Sequence, residues 1–311
     1  MRNWRLSMTD SIFFQRRRVR SNGVTINLAV AGQGPPLLML HGYPQTHSMW
    51  HRVAPELARN HTVVCADLRG YGDSSKPEGL PDHSNYSKRE MALDMVGVMR
   101  SLGHERFHLV GHDRGGRVAH RLARDHGERV LSLTVIDISP TLKMYESTNL
   151  AFARAYYHWF LFIQPAPFPE RMIAAVGLEG IFGRMNAALG SRASGSSPFA
   201  SQALREYRRC FDSKTIHASC EDYRASAGID LVHDRADIGR KLEMPVLAIW
   251  GSRGVVGKMF DCLADWREVA QDVTGVVLDS GHFVPEEEPA GVVRAIADFL
   301  QHHAQRHSKL R

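Results

Sequence analysis

The hydrophobic positions of this chain fall into short apolar runs separated by amphipathic stretches. Runs at 12–19, 24–31, 36–40, 62–66, 107–111, 131–137, 245–250 and 274–279 are rich in Val, Leu and Ile and have the length of strands. Between them, 48–59, 88–102, 115–126 and 287–303 carry apolar residues at helical spacing. Ser87 and Glu90 read as a capping box at the start of the second helix, and Gly103 reads as its stop. This alternation predicts an α/β fold, a mostly parallel eight-stranded sheet flanked by helices on both faces. Between 141 and 243 the alternation lapses. That stretch has a helical pattern and many aromatics (Tyr156, Tyr157, Trp159, Phe160, Phe162). Pro165, Pro167 and Pro169 interrupt it, and a Gly/Ser-rich segment follows at 190–197. The pattern predicts a core built from 11–140 and 244–311, a helical cap at 141–243 inserted between the sixth and seventh strands, and a disordered extension at 1–10.

Composition adjusts this picture only slightly. With 311 residues, 43% of them hydrophobic, the chain can bury one large core and still carry an insertion. The net charge of +6 is modest for this length. The basic run Arg16-Arg17-Arg18 sits between Ile12-Phe13-Phe14 and Val19 with no aromatic-basic module around it. It therefore reads as a solvated edge strand, not a nucleic-acid site. The positive excess favours a small anionic substrate by steering. Cys65, Cys210, Cys220 and Cys262 lack CxxC spacing and read as the reduced cysteines of a cytoplasmic protein. Arg2 and Arg5 are followed by no apolar segment before Asp10, and no run has the length of a membrane span, so neither a secretory signal nor a membrane partner is expected. His302, His303 and His307 have no acidic partner beside them and read as solvated surface, not as a metal site.

The chemistry concentrates at the ends of strands, where sheets of this kind hold their ligands. Residues 109–116 read Leu109-Val110-Gly111-His112-Asp113-Arg114-Gly115-Gly116, a G-x-D-x-G turn after an apolar strand. That turn is the nucleophile elbow of an α/β-hydrolase, with aspartate where esterases carry serine. An ionised carboxylate can displace a leaving group from saturated carbon, and water then opens the resulting ester, so Asp113 points to halides or epoxides as substrates. Asp137 closes the strand at 131–137, and His282 follows the strand at 274–279, giving the order nucleophile, acid, histidine. Gly251-Ser252-Arg253-Gly254-Val255-Val256-Gly257, where other hydrolases of this fold often carry the acid, contains no carboxylate. Its emptiness favours Asp137. Asp279 competes, but strand alternation assigns it a structural or exposed position. His41-Gly42-Tyr43-Pro44 follows another strand, and the backbone N–H groups of Tyr43 and Arg114 are the candidate oxyanion hole. Arg114 and Arg117 share a face at the first turn of the next helix, where cations oppose the macrodipole. Two readings stand: the pair holds a substrate carboxylate bidentately, or it bridges Asp or Glu side chains of the protein.

Taken together, these residues resemble the fluoroacetate dehalogenases, a haloacetate dehalogenase branch of the α/β-hydrolases. The resemblance covers nearly the whole chain past residue 12. It rests on His41-Gly42-Tyr43-Pro44-Gln45-Thr46-His47, Gly111-His112-Asp113-Arg114-Gly115, Tyr157-His158-Trp159, Gln164-Pro165-Ala166-Pro167, Cys220-Glu221-Asp222-Tyr223-Arg224-Ala225 and Gly281-His282-Phe283-Val284-Pro285. The cap motifs are the specific ones, because epoxide hydrolases and haloalkane dehalogenases share the core motifs. The resemblance implies an α/β-hydrolase fold with a cap, Asp113 as nucleophile, His282 as base and Asp137 as its partner. It implies Arg114 and Arg117 on the substrate carboxylate, and His158, Trp159 and Tyr223 around the halide. Imidazole, indole and phenol are three donors that can solvate a small departing fluoride. It further implies a small haloacid as partner, no metal or organic cofactor, and a homodimer.

One departure bears on substrate size. The family has a further cap tryptophan at about 185–190, where this chain reads Met185-Asn186-Ala187-Ala188-Leu189-Gly190. A wider pocket would admit chloroacetate, bromoacetate or a larger 2-haloacid. Two other readings remain. An epoxide hydrolase would use Tyr223 and Tyr157 as proton donors, leaving the His158-Trp159 pair and the two arginines unexplained. A non-catalytic ligand receptor on this scaffold would leave the intact triad unexplained.

Overall fold

Eight apolar runs become eight strands: β1 (Gln15–Ser21), β2 (Val24–Ala31), β3 (Pro36–Leu40), β4 (Thr62–Ala66), β5 (Phe107–His112), β6 (Val130–Ile136), β7 (Val246–Gly251) and β8 (Val273–Leu278). A computed structural model describes residues 14–188 and 198–309. The expected extension at 1–10, Leu189, Gly190 and the Gly/Ser-rich 190–197 lie outside the described residues, as do the side chains of 186–188 and of His307. The strands form one sheet in the order β1-β2-β4-β3-β5-β6-β7-β8. β1 and β2 are antiparallel, β2 meets β4 antiparallel, and the strands from β4 to β8 run parallel. Central strands such as β3 and β6 are buried almost end to end, the mark of a sheet covered on both faces. β1 is the exposed edge, and Arg16 faces Asp73 and Glu206 at 3.5 and 3.6 Å.

Helix α1 (Ala54–Leu57) comes first, then α2 (Lys88–Ser101) and α3 (Arg114–Asp125). The interval between β6 and β7 holds α4 (Thr141–Glu146), α5 (Leu150–Ala155), α6 (Tyr157–Phe162), α7 (Phe168–Ala188), α8 (Ser201–Cys210), α9 (Ser213–Ala227) and α10 (Ile229–Ala236). After β7 come α11 (Val255–Met259), α12 (Cys262–Val269), α13 (Val284–Glu287) and α14 (Pro289–Lys309). The single helix expected at 48–59 is instead a 3₁₀ turn, His47–Arg52, followed by α1. Pro55 explains the break, since it has no N–H for the carbonyl one turn back and tolerates only the first turn of a helix. The capping box at α2 is half formed. Ser87 accepts from the Glu90 N–H, but the Glu90 carboxylate takes the Asn22 amide at 2.9 Å instead. The helix expected from 287 begins at Pro289, after the separate turn α13.

Aromatic rings join the insertion to the sheet. Tyr43, in the loop after β3, stands edge-on to Phe162 and Tyr223 at 5.4 and 5.8 Å. Phe283, after β8, does the same with Phe199 at 4.8 Å and Phe182 at 6.0 Å. One polar contact crosses beside them: the Tyr207 hydroxyl on α8 donates to Glu286 Oε1 on α13 at 2.5 Å. Gln45 Nε2 approaches the same oxygen at 3.4 Å, and His51 Nδ1 lies 3.8 Å from the other. Burial pushes the Glu286 carboxyl up to about 8, against the opposing pull of Tyr207.

The tight passage from β5 into α3 requires glycine. A Cβ on Gly115 would lie 2.5 Å from the backbone of Leu40 and His41, and one on Gly111 would lie 2.4 Å from the Gly115 carbonyl oxygen. Gly115→Ala is therefore expected to destabilise the protein by roughly 3 kcal/mol or more, checked by denaturant unfolding. Glu286 makes stability depend on pH. Its folded value lies above the unfolded 4.5, so its stabilisation belongs to the protonated form, complete below 4.5 and lost as pH rises through about 8. Glu286→Gln, neutral at every pH, is expected to gain on the wild type by roughly 1 kcal/mol per pH unit across that window, read as the pH dependence of Tm.

Candidate active site

Loops at the carboxyl ends of β3, β5, β6 and β8 bring Tyr43, Asp113, Asp137 and His282 together, all four buried. Asp113 sits at φ 47°, ψ −114°, a conformation that turns its side chain out of the strand-to-helix elbow. Gly42 lets the neighbouring loop come close enough: a Cβ there would meet the Asp113 Cβ at 2.6 Å. The Tyr43 N–H consequently donates to Asp113 Oδ1 at 2.9 Å. Arg114 is the first residue of α3, so its N–H has no acceptor within the helix.

The other Asp113 oxygen, Oδ2, lies 3.9 Å from His282 Nε2. His282 Nδ1 is 2.6 Å from Asp137 Oδ2. The carboxylate accepts, so Nδ1 carries the proton and Nε2 faces Asp113. The second Asp137 oxygen accepts the Gly251 N–H at 3.0 Å. The loop after β7 thus contributes a backbone donor where its sequence lacks a carboxylate. Asp137 also has a left-handed backbone, with φ 51°. Asp279 is exposed and pairs with Arg253, away from His282.

Electrostatics separate the two carboxylates. Burial raises the Asp113 carboxyl, but His282, His112, Arg114 and Arg117 outweigh it and bring it down to about 2. For Asp137 burial dominates and the carboxyl rises despite the His282 hydrogen bond. Burial disfavours the charged His282 ring, yet Asp137 and Asp113 together lift it above its ordinary value.

The arginine pair divides between the two readings. Arg114 Nε and Nη2 grip Asp222 on α9 at 2.9 and 2.7 Å, and Nη2 also reaches Ser226 Oγ at 2.6 Å. For Arg114 the second reading is the one the geometry matches: its fork is occupied by a protein carboxylate, leaving only Nη1 buried and unpartnered among the described residues. Arg117 makes no salt bridge among the described residues, and the carboxylate it feels is Asp113. It donates to Thr141 Oγ1 at 3.0 Å and Met144 Sδ at 3.3 Å and lies over the Trp159 ring at 4.6 Å. Its Nε is buried without a partner.

His158, Trp159 and Tyr223 are buried together, the Tyr223 ring 5.8 Å from His158 and 6.4 Å from Trp159. His158 Nδ1 and Trp159 Nε1 have no hydrogen-bond partner among the described residues. Burial drops the His158 ring to about 3, so it is neutral. Tyr157 is half-buried, its ring against the Arg184 guanidinium at 5.2 Å. Two residues that motif reading passed over belong to this region. Asp222 sat inside a quoted cap motif without a role. His112 Nε2 donates to the His282 carbonyl at 2.8 Å, tying the histidine loop to the elbow.

The profile of the alpha/beta hydrolase fold matches residues 35–289. Over 92% of this chain and 94% of its own length, a fluoroacetate dehalogenase from Burkholderia sp is 48% identical. A soluble epoxide hydrolase from Corynebacterium sp. (strain C12) is 33% identical over 90% of this chain and 94% of its own. A solved structure from Nostoc sp PCC 7120, provisionally described as an alpha/beta hydrolase, superposes with a TM-score of 0.90 at 54% identity, covering 93% of this chain and 98% of that one. The chain belongs to the α/β-hydrolase family, in the branch that holds the Burkholderia fluoroacetate dehalogenase.

Proposed function

We propose that this protein is a haloacetate dehalogenase that converts fluoroacetate, chloroacetate or bromoacetate to glycolate and halide through an ester on Asp113. The observation that carries the reading is a buried, ionised aspartate in a region where Arg114 Nη1, Arg117 Nε, His158 Nδ1 and Trp159 Nε1 are buried with no hydrogen-bond partner among the described residues. Buried donors are almost always paired, so four near one carboxylate call for a ligand with two acceptor ends. A haloacetate has a carboxylate for the arginines and a halogen for His158, Trp159 and Tyr223. The 48% identity to a fluoroacetate dehalogenase points the same way. We read 141–243 as the cap that closes over this ligand.

The reaction then runs in two steps. Asp113 Oδ2, the oxygen not held by Tyr43, attacks the α-carbon as the carbon–halogen bond breaks and the halide departs into the His158, Trp159 and Tyr223 pocket. Substrate orientation by the arginines supplies much of the rate. Neutral His282 takes a proton from water at Nε2 while the water oxygen adds to the Asp113 Cγ. Charge collects on Oδ1, where the Tyr43 and Arg114 N–H groups hold it. Collapse expels the alkoxide, which recovers the proton from His282 and leaves as glycolate. The chemistry uses only this chain's side chains and water.

The Corynebacterium relative keeps the epoxide reading alive, with Tyr223 and Tyr157 as proton donors. Halide release from fluoro-, chloro- and bromoacetate, with styrene oxide in parallel, separates the two. His282→Asn is expected to stop at the ester, seen by mass spectrometry as a carboxymethyl adduct on Asp113; an unmodified enzyme would sink the covalent scheme. A single wild-type turnover in ¹⁸O water is expected to label Asp113 and leave the glycolate hydroxyl unlabelled. The pH profile follows from the shifted groups. Asp113 stays ionised down to about 2, while the base form of His282 is lost as pH falls through a value above 6.5. Below that value ester hydrolysis is expected to slow by roughly tenfold per pH unit while alkylation continues, so the ester accumulates in acid-quenched wild-type samples.

A further inference from the structure

Asp222 is the most heavily engaged buried carboxylate of the insertion. Its Oδ1 takes Arg114 Nη2 at 2.7 Å and the Lys88 ammonium. Its Oδ2 takes Arg114 Nε at 2.9 Å and the Tyr71 hydroxyl at 2.7 Å. Its backbone carbonyl accepts from Arg114 Nη2 at 2.9 Å, and Ser226, one turn on along α9, holds the same nitrogen. Lys88 in turn lies 3.3 Å from Asp230 Oδ2. Arg114 also stacks over Tyr223, the residue after Asp222, with the guanidinium carbon 4.1 Å from the ring centroid. Arg114 on α3, Lys88 on α2 and Tyr71 thus converge on a single carboxylate of α9, and every nitrogen of the Arg114 guanidinium but Nη1 is spoken for among the described residues.

Charge is distributed accordingly. Arg114 and Lys88 are salt-bridged to Asp222 and Asp230, whereas Arg117 has no salt bridge among the described residues and feels Asp113 at longer range. Burial and the nearby Arg114 disfavour the charge on Arg117. An anion bound here would meet two unlike groups, a guanidinium neutralised by a salt bridge and fixed in place, and a guanidinium that no salt bridge ties down.

We propose that Asp222 is a positioning residue for carboxylate recognition: it clamps Arg114 so that Nη1 alone is offered to one oxygen of the substrate carboxylate, while Arg117 Nε takes the other and supplies the net charge. This inference rests on the haloacid reading of the site. It assigns the insertion a part in recognising the acid group, because the clamp lies on α9 and Arg114 on α3. Recognition by one donor from each arginine also differs from a guanidinium fork, which would rank bidentate geometry above charge.

Asp222→Asn separates positioning from charge by sign. Losing a negative charge beside the site makes it more positive, so charge alone predicts tighter binding of a carboxylate. Loss of the clamp predicts weaker binding. The probe is acetate, titrated by calorimetry, which needs no turnover, with chloride as the probe of the halide pocket. Asp222→Asn is expected to weaken acetate by about tenfold or more and to raise KM for chloroacetate by a similar factor. Chloride affinity and the rate of ester hydrolysis after a single turnover are expected to stay within about twofold. The double variant Asp222→Asn/Lys88→Met restores the net charge and is expected to remain weak. Tyr71→Phe removes one hydroxyl from the clamp and is expected to shift acetate in the same direction by a smaller factor, which keeps the test open if Asp222→Asn does not fold. Unchanged or tighter acetate binding in Asp222→Asn, rescue by the double variant, or a parallel loss of chloride affinity and ester hydrolysis would each overturn the clamp. So would a wild type that binds no acetate. A wild type that binds acetate but releases no halide from any haloacetate overturns the dehalogenase reading and leaves the acetate series to decide the clamp by itself.

Discussion

An ionised carboxylate sealed away from water is the constraint on which the rest of this site depends. Asp113 is buried, and burial alone would protonate it. Its charge persists because the fold surrounds it with a backbone N–H from Tyr43, the His282 ring and two guanidiniums. Each of those groups then needs a support of its own. His282 is held by Asp137, and Asp137 by the Gly251 N–H. His112 tethers the His282 backbone, and Asp222 tethers Arg114. The polar network reaches outward from one carboxylate through paired charges, and Arg117 differs in having no salt bridge of its own among the described residues.

The same constraint explains why the surrounding chain is shaped as it is. Close approach of the β3 loop to the elbow needs Gly42, where a Cβ would strike the Asp113 side chain, and the turn from β5 into α3 needs Gly111 and Gly115, where a Cβ would strike backbone. Both Asp113 and Asp137 occupy left-handed backbone, strain that a rigid parallel sheet can hold at its carboxyl edge. The helices between β6 and β7 pack aromatic rings beside it, with Phe162 and Tyr223 on Tyr43 and with Phe199 and Phe182 on Phe283. A dry site strengthens each of the charge interactions within it.

Much of this architecture was legible in one dimension. Period and run length located all eight strands to within a few residues, most sharply the central ones, because buried parallel strands are continuous apolar segments with sharp ends. The helix expected at 48–59 went wrong where the apolar period ran across Pro55, whose missing N–H outweighs the period. The capping box at α2 went wrong for a different reason: the Glu90 carboxylate found a tertiary partner in Asn22, which local sequence does not display. The meaning of Arg114 was the largest gap. Sequence spacing put it beside Arg117 on one helix face but could not say that a carboxylate about a hundred residues later would take its fork.

The sequence by itself determined where the candidate chemical groups fall: aspartate in a G-x-D-x-G elbow, and an acid and a histidine after later strands in the order that elbow calls for. Those signals are local, because each follows from what one strand end must do. Only the tertiary structure decided which donors are free. Whether a buried N–H is available to a ligand depends on what the rest of the chain brings within 3 Å of it, and no spacing along the chain records that. The two arginines look alike in sequence. In the folded protein one is locked by Asp222 with a single nitrogen left over, and the other keeps its charge.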